Sequence, residues 1–400
     1  MMQKLLKWNN NFYTIKKKNY LKRLKLLFFF FLLLLIYIFE NCNLSERLSS
    51  KKHAIEFIKN FLFYDLNNIN FNITINNKPN ISIIIPLFNC QNSIELSIKS
   101  IQYQTFLNYE IILINDFSKD NTLNIINCLR MKDSRIKVIN NNKNMGTLYS
   151  RSIGALKAKG KYIYCLDNDD LFYDEHLFEK LYEFAEKTDY DIVEFKSYYI
   201  KKYSSRVKLS EIKIGPFNRH PINMTLTQPQ LGLFPISKKG KYSDNDFHIW
   251  GKSIKTKIYK TAVNYLGKKS YSFYNCYTED ISIVFVLFNI AQSFIFIGIF
   301  GILHLEYKES TSFSLPDSKK LMTELYLLEI IVDFIKNKEM NKNYIIEKLL
   351  LILKKQYINS FYKEHIQYLN QIIKKILAIS TLTKNEKDLI AKYTRNIKIN

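Results

Sequence analysis

Between residues 80 and 166 the chain alternates short β-rich apolar runs with stretches of helical spacing, and this alternation restricts the fold more than any other feature. Ile81–Pro86 (ISIIIP), Glu110–Asn115 (EIILIN), Arg135–Asn140 (RIKVIN) and Lys161–Leu166 (KYIYCL) read as buried strands. Ser93–Tyr103, Asp120–Arg130 and Gly146–Ala158 carry the helical spacing between them, the last stopped at Gly160. Strands joined by helices of this length form right-handed βαβ units, so the expected class is α/β, with a largely parallel sheet flanked by helices. Such sheets bind ligands beyond the carboxyl ends of their strands.

Two groups of acids fall at such ends. Asp116 follows the second strand, and Asp167-Asn168-Asp169-Asp170 follows the fourth. Two carboxylates 4 Å apart repel by about 1 kcal/mol in water and by about 4 kcal/mol at an effective dielectric of 20. A turn with three of them needs partners or a cation. Oxygen ligands favour Mg²⁺ or Mn²⁺, and Mg²⁺ typically takes one or two carboxylates and fills its shell with water and phosphate oxygens. The plainer alternative is an Asp-rich turn leading into the next helix, with Asp174 as its N-cap.

The order of the surrounding motifs adds to this. Ile85-Pro86-Leu87-Phe88-Asn89, Ile114-Asn115-Asp116-Phe117-Ser118-Lys119-Asp120, Asn144-Met145-Gly146 with Arg151 and Gly154, and Leu166-Asp167-Asn168-Asp169-Asp170 follow one another. Together they resemble the family 2 glycosyltransferases of GT-A fold. Ile249-Trp250-Gly251-Lys252, Thr278-Glu279-Asp280 and Tyr307–Ser312 look like that family's later motifs, with Lys252 slightly displaced. The resemblance spans 80–312, divided into a nucleotide-sugar half (80–200) and an acceptor half (201–312). It departs at Phe117, where the family usually has Gly. Gly tolerates positive φ and Phe does so only at a cost, so the loop after the second strand is expected to be reshaped.

The resemblance implies a sugar transferase using a nucleotide-diphospho-sugar, with a UDP-sugar first among the candidates. Pro86 and Asn89 would shape the loop under the nucleoside, and Asp116 would accept from the base. Asp167 would approach the ribose or the metal, and Asp169 would ligate a divalent cation, Mn²⁺ or Mg²⁺. Arg151 would fix the helix near the donor loop and touch the nucleotide. Asp280, with Glu279 as runner-up, would be the general base of an inverting transfer to a hydroxyl of a glycan, glycoprotein or glycolipid. These two acids could instead serve only as helix-end charges. Trp250 would stack on the acceptor sugar or pack in the core. His304 would be a further metal ligand or a structural residue. A non-catalytic sugar-nucleotide binder or scaffold with a degenerate site is the competing function.

The flanks read differently. Residues 1–25 carry eight Lys or Arg and no acid, and Leu26–Phe39 is uncharged. This suggests a basic cytosolic tail, a membrane anchor at 26–40 and a stem at 41–79, with a cleaved signal peptide or a buried helix as rivals. Basic residues before one anchor imply a single-pass type II protein, with its bulk in the endoplasmic reticulum or Golgi lumen. Sequons at Asn43, Asn72, Asn80 and Asn223 are compatible with that location. Ile281–Leu303 has 23 uncharged residues and could span a membrane, but the family pattern makes it a helix and then a strand, broken near Gln292-Ser293. Residues 313–400 read as a helical extension packed on the domain, with Leu325, Leu328, Ile331 and Ile335 on one face. The net charge of +23 follows from a Lys-rich composition, and without nucleic-acid motifs no nucleic-acid partner is expected. Five cysteines without a C-x-x-C pair give no zinc or redox motif, and Cys90, Cys128 and Cys165 are expected in the core.

Overall fold

The computed structural model describes residues 78–201, 214–216, 223–227, 248–267, 278–306, 317–335, 363–379 and 382–394. The anchor at 26–40, residues 41–77 of the stem, the sequons at Asn43 and Asn72, and the Tyr307–Ser312 motif lie outside the described residues. Among the described residues, no helix is long and apolar enough to cross a membrane.

The expected alternation is present. In chain order, β1 (Ile81–Leu87), α1 (Ile94–Gln102), β2 (Tyr109–Asn115), α2 (Thr122–Lys132), β3 (Ile136–Asn140), α3 (Thr147–Lys157) and β4 (Tyr162–Cys165) make the first half. β5 (Leu171–Phe172), α4 (Leu177–Thr188), β6 (Ile192–Lys201), β7 (Ile214–Pro216) and β8 (Thr225–Leu226) follow. Next come β9 (Lys252–Lys255), α5 (Thr256–Leu266), α6 (Glu279–Ile290) and β10 (Phe294–Glu306). α7 (Asp317–Ile335), α8 (Lys363–Leu377) and α9 (Lys384–Thr394) complete the described chain.

The strands form one sheet in the order β3-β2-β1-β4-β9-β6-β10-β5, with β7 beside β6 and β8 beside β10. β1 pairs in parallel with both β2 and β4. After β1 the chain builds outward to β2 and β3, then crosses back to place β4 on the other side. That reversal opens a crevice at the carboxyl ends of β1 and β4, where open α/β sheets bind ligands. β9 enters antiparallel between β4 and β6, so the sheet is mixed in its second half.

Side-chain alternation sends Ile81, Ile83 and Ile85 to one face with α1 and α4, and Ile84 to the other with α3, α5 and α6. Both faces are covered, which is why the strands read as continuous apolar runs. Leu325, Leu328 and Ile331 of α7 join the second cluster with α6 and α8, so the helical extension packs on the domain as expected. The Ile281–Leu303 stretch divides into α6 and β10, and β10 runs parallel to β6 inside the sheet.

Gly160, three residues past the end of α3, passes too close to β1 to carry a side chain. A Cβ there would lie 2.6 Å from the Ile81 carbonyl carbon and from Ser82 N. Its N–H donates to Ser82 Oγ at 2.8 Å, and Ser82 Oγ in turn donates to buried Glu110 at 2.6 Å. Ser82 is fully buried, so the Asn80 sequon is closed once β1 forms. Cys90 and Cys165 are buried as expected, but Cys128 is exposed. α2 buries only Thr122 and Ile126 fully, and Cys128 falls outside that narrow stripe.

Candidate active site

The acidic turn after β4 is fastened by its backbone. Asn168 Nδ2 donates to Pro86 O at 3.2 Å, and Ser97 Oγ of α1 donates to Asn168 O at 2.8 Å. Pro86 and Asn168 thus bind the carboxyl ends of β1 and β4 together. Asp174 does not cap α4 directly: it accepts from His176 N at 2.9 Å and pairs with Lys180 at 2.5 Å, one turn ahead of the helix.

Arg151 is the centre of the site. It lies on α3 with its side chain only 3% exposed. Its guanidinium meets Asp167, reaches Asp280 Oδ1 at 2.5 Å, and lies 3.6 Å from Glu279 Oε1. Three carboxylates from two distant segments therefore share one buried cation. Contact with a nucleotide was expected of Arg151; its two terminal nitrogens are turned to these acids. Burial raises the pKa of Glu279, and Asp280 beside it adds to the rise while Arg151 opposes it. Burial raises Asp280 likewise, again against Arg151. Glu279 and Asp280 form the first turn of α6, and both remain partly exposed. Asp280 Oδ2 accepts only a long bond from Ile249 N, 3.4 Å.

On the far side of the turn, Asp170 is fully buried and meets His304 Nδ1 at 2.9 Å. The β5–β10 register causes this: Leu171 pairs with Leu303, which sets the preceding Asp170 beside the following His304. Burial alone would lower the His304 pKa, but Asp170 raises it to about 9. Trp250 stacks with two imidazoles, 4.3 Å from His248 and 5.0 Å from His304, nearly parallel to both. At 5% exposure Trp250 is packed inside the protein, the second of its two expected placements. Lys252 is buried against Glu194 at 3.1 Å and donates to His248 O at 2.6 Å, supporting the same stack.

Asp169 has no ion-pair partner among the described residues. Burial, with Asp170 and Asp167 adjacent, pushes its pKa up to about 8. No group of three or more His, Cys, Asp or Glu is arranged to hold a metal among the described residues. Asp167 and Asp169 nevertheless fit a hard divalent cation that uses two carboxylates and completes its shell from a phosphorylated ligand.

The loops after β1 and β2 form one unit. Asn89 N donates to Ser118 Oγ at 3.0 Å, and Lys119 N donates to Asn89 Oδ1 at 2.8 Å. Gln91 N donates to Asp120 Oδ2 and Asn121 N to Gln91 Oε1, both at 3.0 Å. Asn89 has φ 50° and Phe117 has φ 65°. At Phe117 the backbone adopts the left-handed conformation that Gly would allow, at a cost of about 1–2 kcal/mol. Asp116 is 4% exposed; Oδ1 accepts from Asn141 Nδ2 and Met145 N, and Oδ2 from Gly146 N, each at 2.8 Å. Its carboxylate ties the β3–α3 loop to β2.

Comparison with known proteins accounts for this arrangement. Residues 82–240 match the family described as Glycosyl transferase family 2. Those residues are a family 2 glycosyltransferase domain. The glycosyltransferase match includes the two loops, Arg151 and the acidic turn, and ends before Trp250, Glu279 and Asp280. The Escherichia coli UDP-Glc:alpha-D-GlcNAc-diphosphoundecaprenol beta-1,3-glucosyltransferase WfaP is 38% identical over 122 residues, 30% of this chain and 47% of that protein. Glycosyltransferase GlyG of Streptococcus pneumoniae is 34% identical over 113 residues, 28% of this chain and 37% of that protein. The chain thus spans less than half the length of these curated relatives. The crystal structure of S. aureus TarS 1-349 in complex with UDP-GlcNAc superposes with a TM-score of 0.50 at 15% identity, over 79% of this chain and 88% of that one. The glycosyltransferase domain has the GT-A fold, with its mixed sheet and flanking helices.

Proposed function

We propose that the protein transfers a sugar from a nucleotide-diphospho-sugar, first a UDP-sugar, to a hydroxyl of a glycan or glycoconjugate, with inversion and with a divalent cation. The observation that carries this reading is the Arg151 cluster, which joins the acidic turn at the switch point to Asp280. A cation held by Asp167 and Asp169 would offset the charge that develops on the departing diphosphate. Asp280 takes the acceptor proton as the acceptor oxygen bonds to the anomeric carbon and the bond to the diphosphate oxygen breaks. The diphosphoundecaprenol-linked acceptor of WfaP supports a lipid-linked glycan as an acceptor to test first.

A screen of UDP-glucose and UDP-N-acetylglucosamine turnover with Mn²⁺ tests the reading. Asp169→Asn removes a charge with little change of shape. Its UDP affinity is expected to lose most of its Mn²⁺ dependence, with thermal stability unchanged or slightly raised as like-charge repulsion is relieved. Metal-dependent affinity equal to wild type would refute the ligand assignment. Donor binding without turnover on any acceptor would favour the non-catalytic alternative.

The uncharged stretch 26–39 behind a basic tail supports a single membrane anchor, with residues 41–400 across the membrane from the tail. The bacterial relatives weigh against a Golgi address. In sealed vesicles oriented as in the cell, the C-terminus should resist protease until detergent is added; digestion without detergent overturns this topology.

A further inference from the structure

We propose that the Phe117 ring is the stacking platform for the donor nucleobase. This deepens the nucleotide-sugar reading and rests on it. Phe117 is a bulky residue at φ 65°, a conformation rarely kept without a reason in the surrounding structure. The reason is not burial, because Phe117 is 38% exposed. It is held there by the hydrogen bonds that lace the two loops together, so the ring is presented on a rigid support. Lys119 Nζ sits 3.4 Å from the ring centroid and covers one face, leaving the other to a ligand. Phe117 directly follows Asp116 at the carboxyl end of β2, beside the crevice opened by β1 and β4. Phe88, on the adjoining loop, is exposed as well. A planar base is the part of a nucleotide sugar that an exposed aromatic face recognises, whichever base it is.

The test separates the base from the diphosphate. The full-length protein in detergent is titrated with UDP and with inorganic pyrophosphate, each with Mn²⁺. Phe117→Gly relieves the backbone strain, so its melting temperature should rise by about 2–4 °C. Its UDP affinity should nevertheless fall by about 5- to 100-fold, the usual effect of deleting an aromatic partner of a base. Pyrophosphate affinity should stay within about twofold of wild type, because the probe lacks a base. Phe117→Leu keeps the strain and loses the ring, and should lose UDP affinity too; Phe117→Trp should retain it. If wild type binds UDP and both Phe117→Gly and Phe117→Leu bind it equally well, the stacking role is wrong and the donor reading stands. If these variants change only the KM for the acceptor, the ring serves the acceptor and the inference also fails. If wild type binds neither UDP nor pyrophosphate, the donor reading falls and the stacking role with it.

Discussion

Replacing Arg151 by Met is expected to lower stability by about 3–5 kcal/mol, because it strands buried carboxylates without their cation. The guanidinium now serves Asp167, Glu279 and Asp280 together, and Met fills similar volume without charge. Urea unfolding of the two proteins at pH 8 measures the difference. The deficit should also depend on pH. Without Arg151 opposing the rise, Glu279 and Asp280 will have folded-state pKa values even further above their unfolded ones. The penalty on a carboxylate raised in this way accumulates over the pH range where the unfolded chain ionises and the native one does not, and persists above it. The penalty is absent below about pH 4 and grows as pH rises towards the folded-state pKa. The variant should therefore approach wild type at pH 5 and fall away from it at pH 8. Arg151→Lys should recover only part of the loss, since one ammonium cannot span Asp167 and Asp280 as the planar fork does. A loss below about 1 kcal/mol at pH 8 would mean that the carboxylates do not need this cation.

Asp280→Asn is expected to reduce kcat by about 10²–10⁴ while leaving UDP affinity almost unchanged. Asn keeps the size of the side chain and can still accept from Ile249 N, but it cannot take a proton from a hydroxyl. Stability should change little, because Arg151 retains Asp167 and Glu279 and one of three crowded negative charges is gone. Glu279→Gln, made in parallel, distinguishes the two acids. Glu279 lies farther from Arg151 than Asp280 does, 3.6 Å against 2.5 Å, so it is less firmly held and less suited to a fixed base. Loss of turnover in Glu279→Gln alone would reverse the roles. Wild-type turnover in both would place the base elsewhere in the cleft.

The first four strands and three helices were legible in the chain because their signals are local. A strand buried on both faces must be apolar throughout, and Ile81–Leu87 is so. Gly160 marked the boundary after α3, and its place against β1 admits no Cβ. The positions of Asp116 and the Asp167–Asp170 turn followed from strand ends alone. Other features depended on segments more than a hundred residues apart. The Asp170–His304 pair arises from β5 lying antiparallel on β10, and the Arg151–Asp280 contact from α3 meeting the start of α6. No periodicity within either segment specifies such a meeting. Trp250 was ambiguous for the same reason: its type suits both a sugar and a core, and only its burial against two imidazoles decides between them. Cys128 shows the limit on helices, where the width of the buried stripe is set by what the helix packs against. Phe117 shows it for loops. The sequence by itself determined that a residue poorly suited to positive φ stood at the turn. Whether the turn would yield was decided by the hydrogen bonds to the neighbouring loop, which together outweigh the strain of one residue.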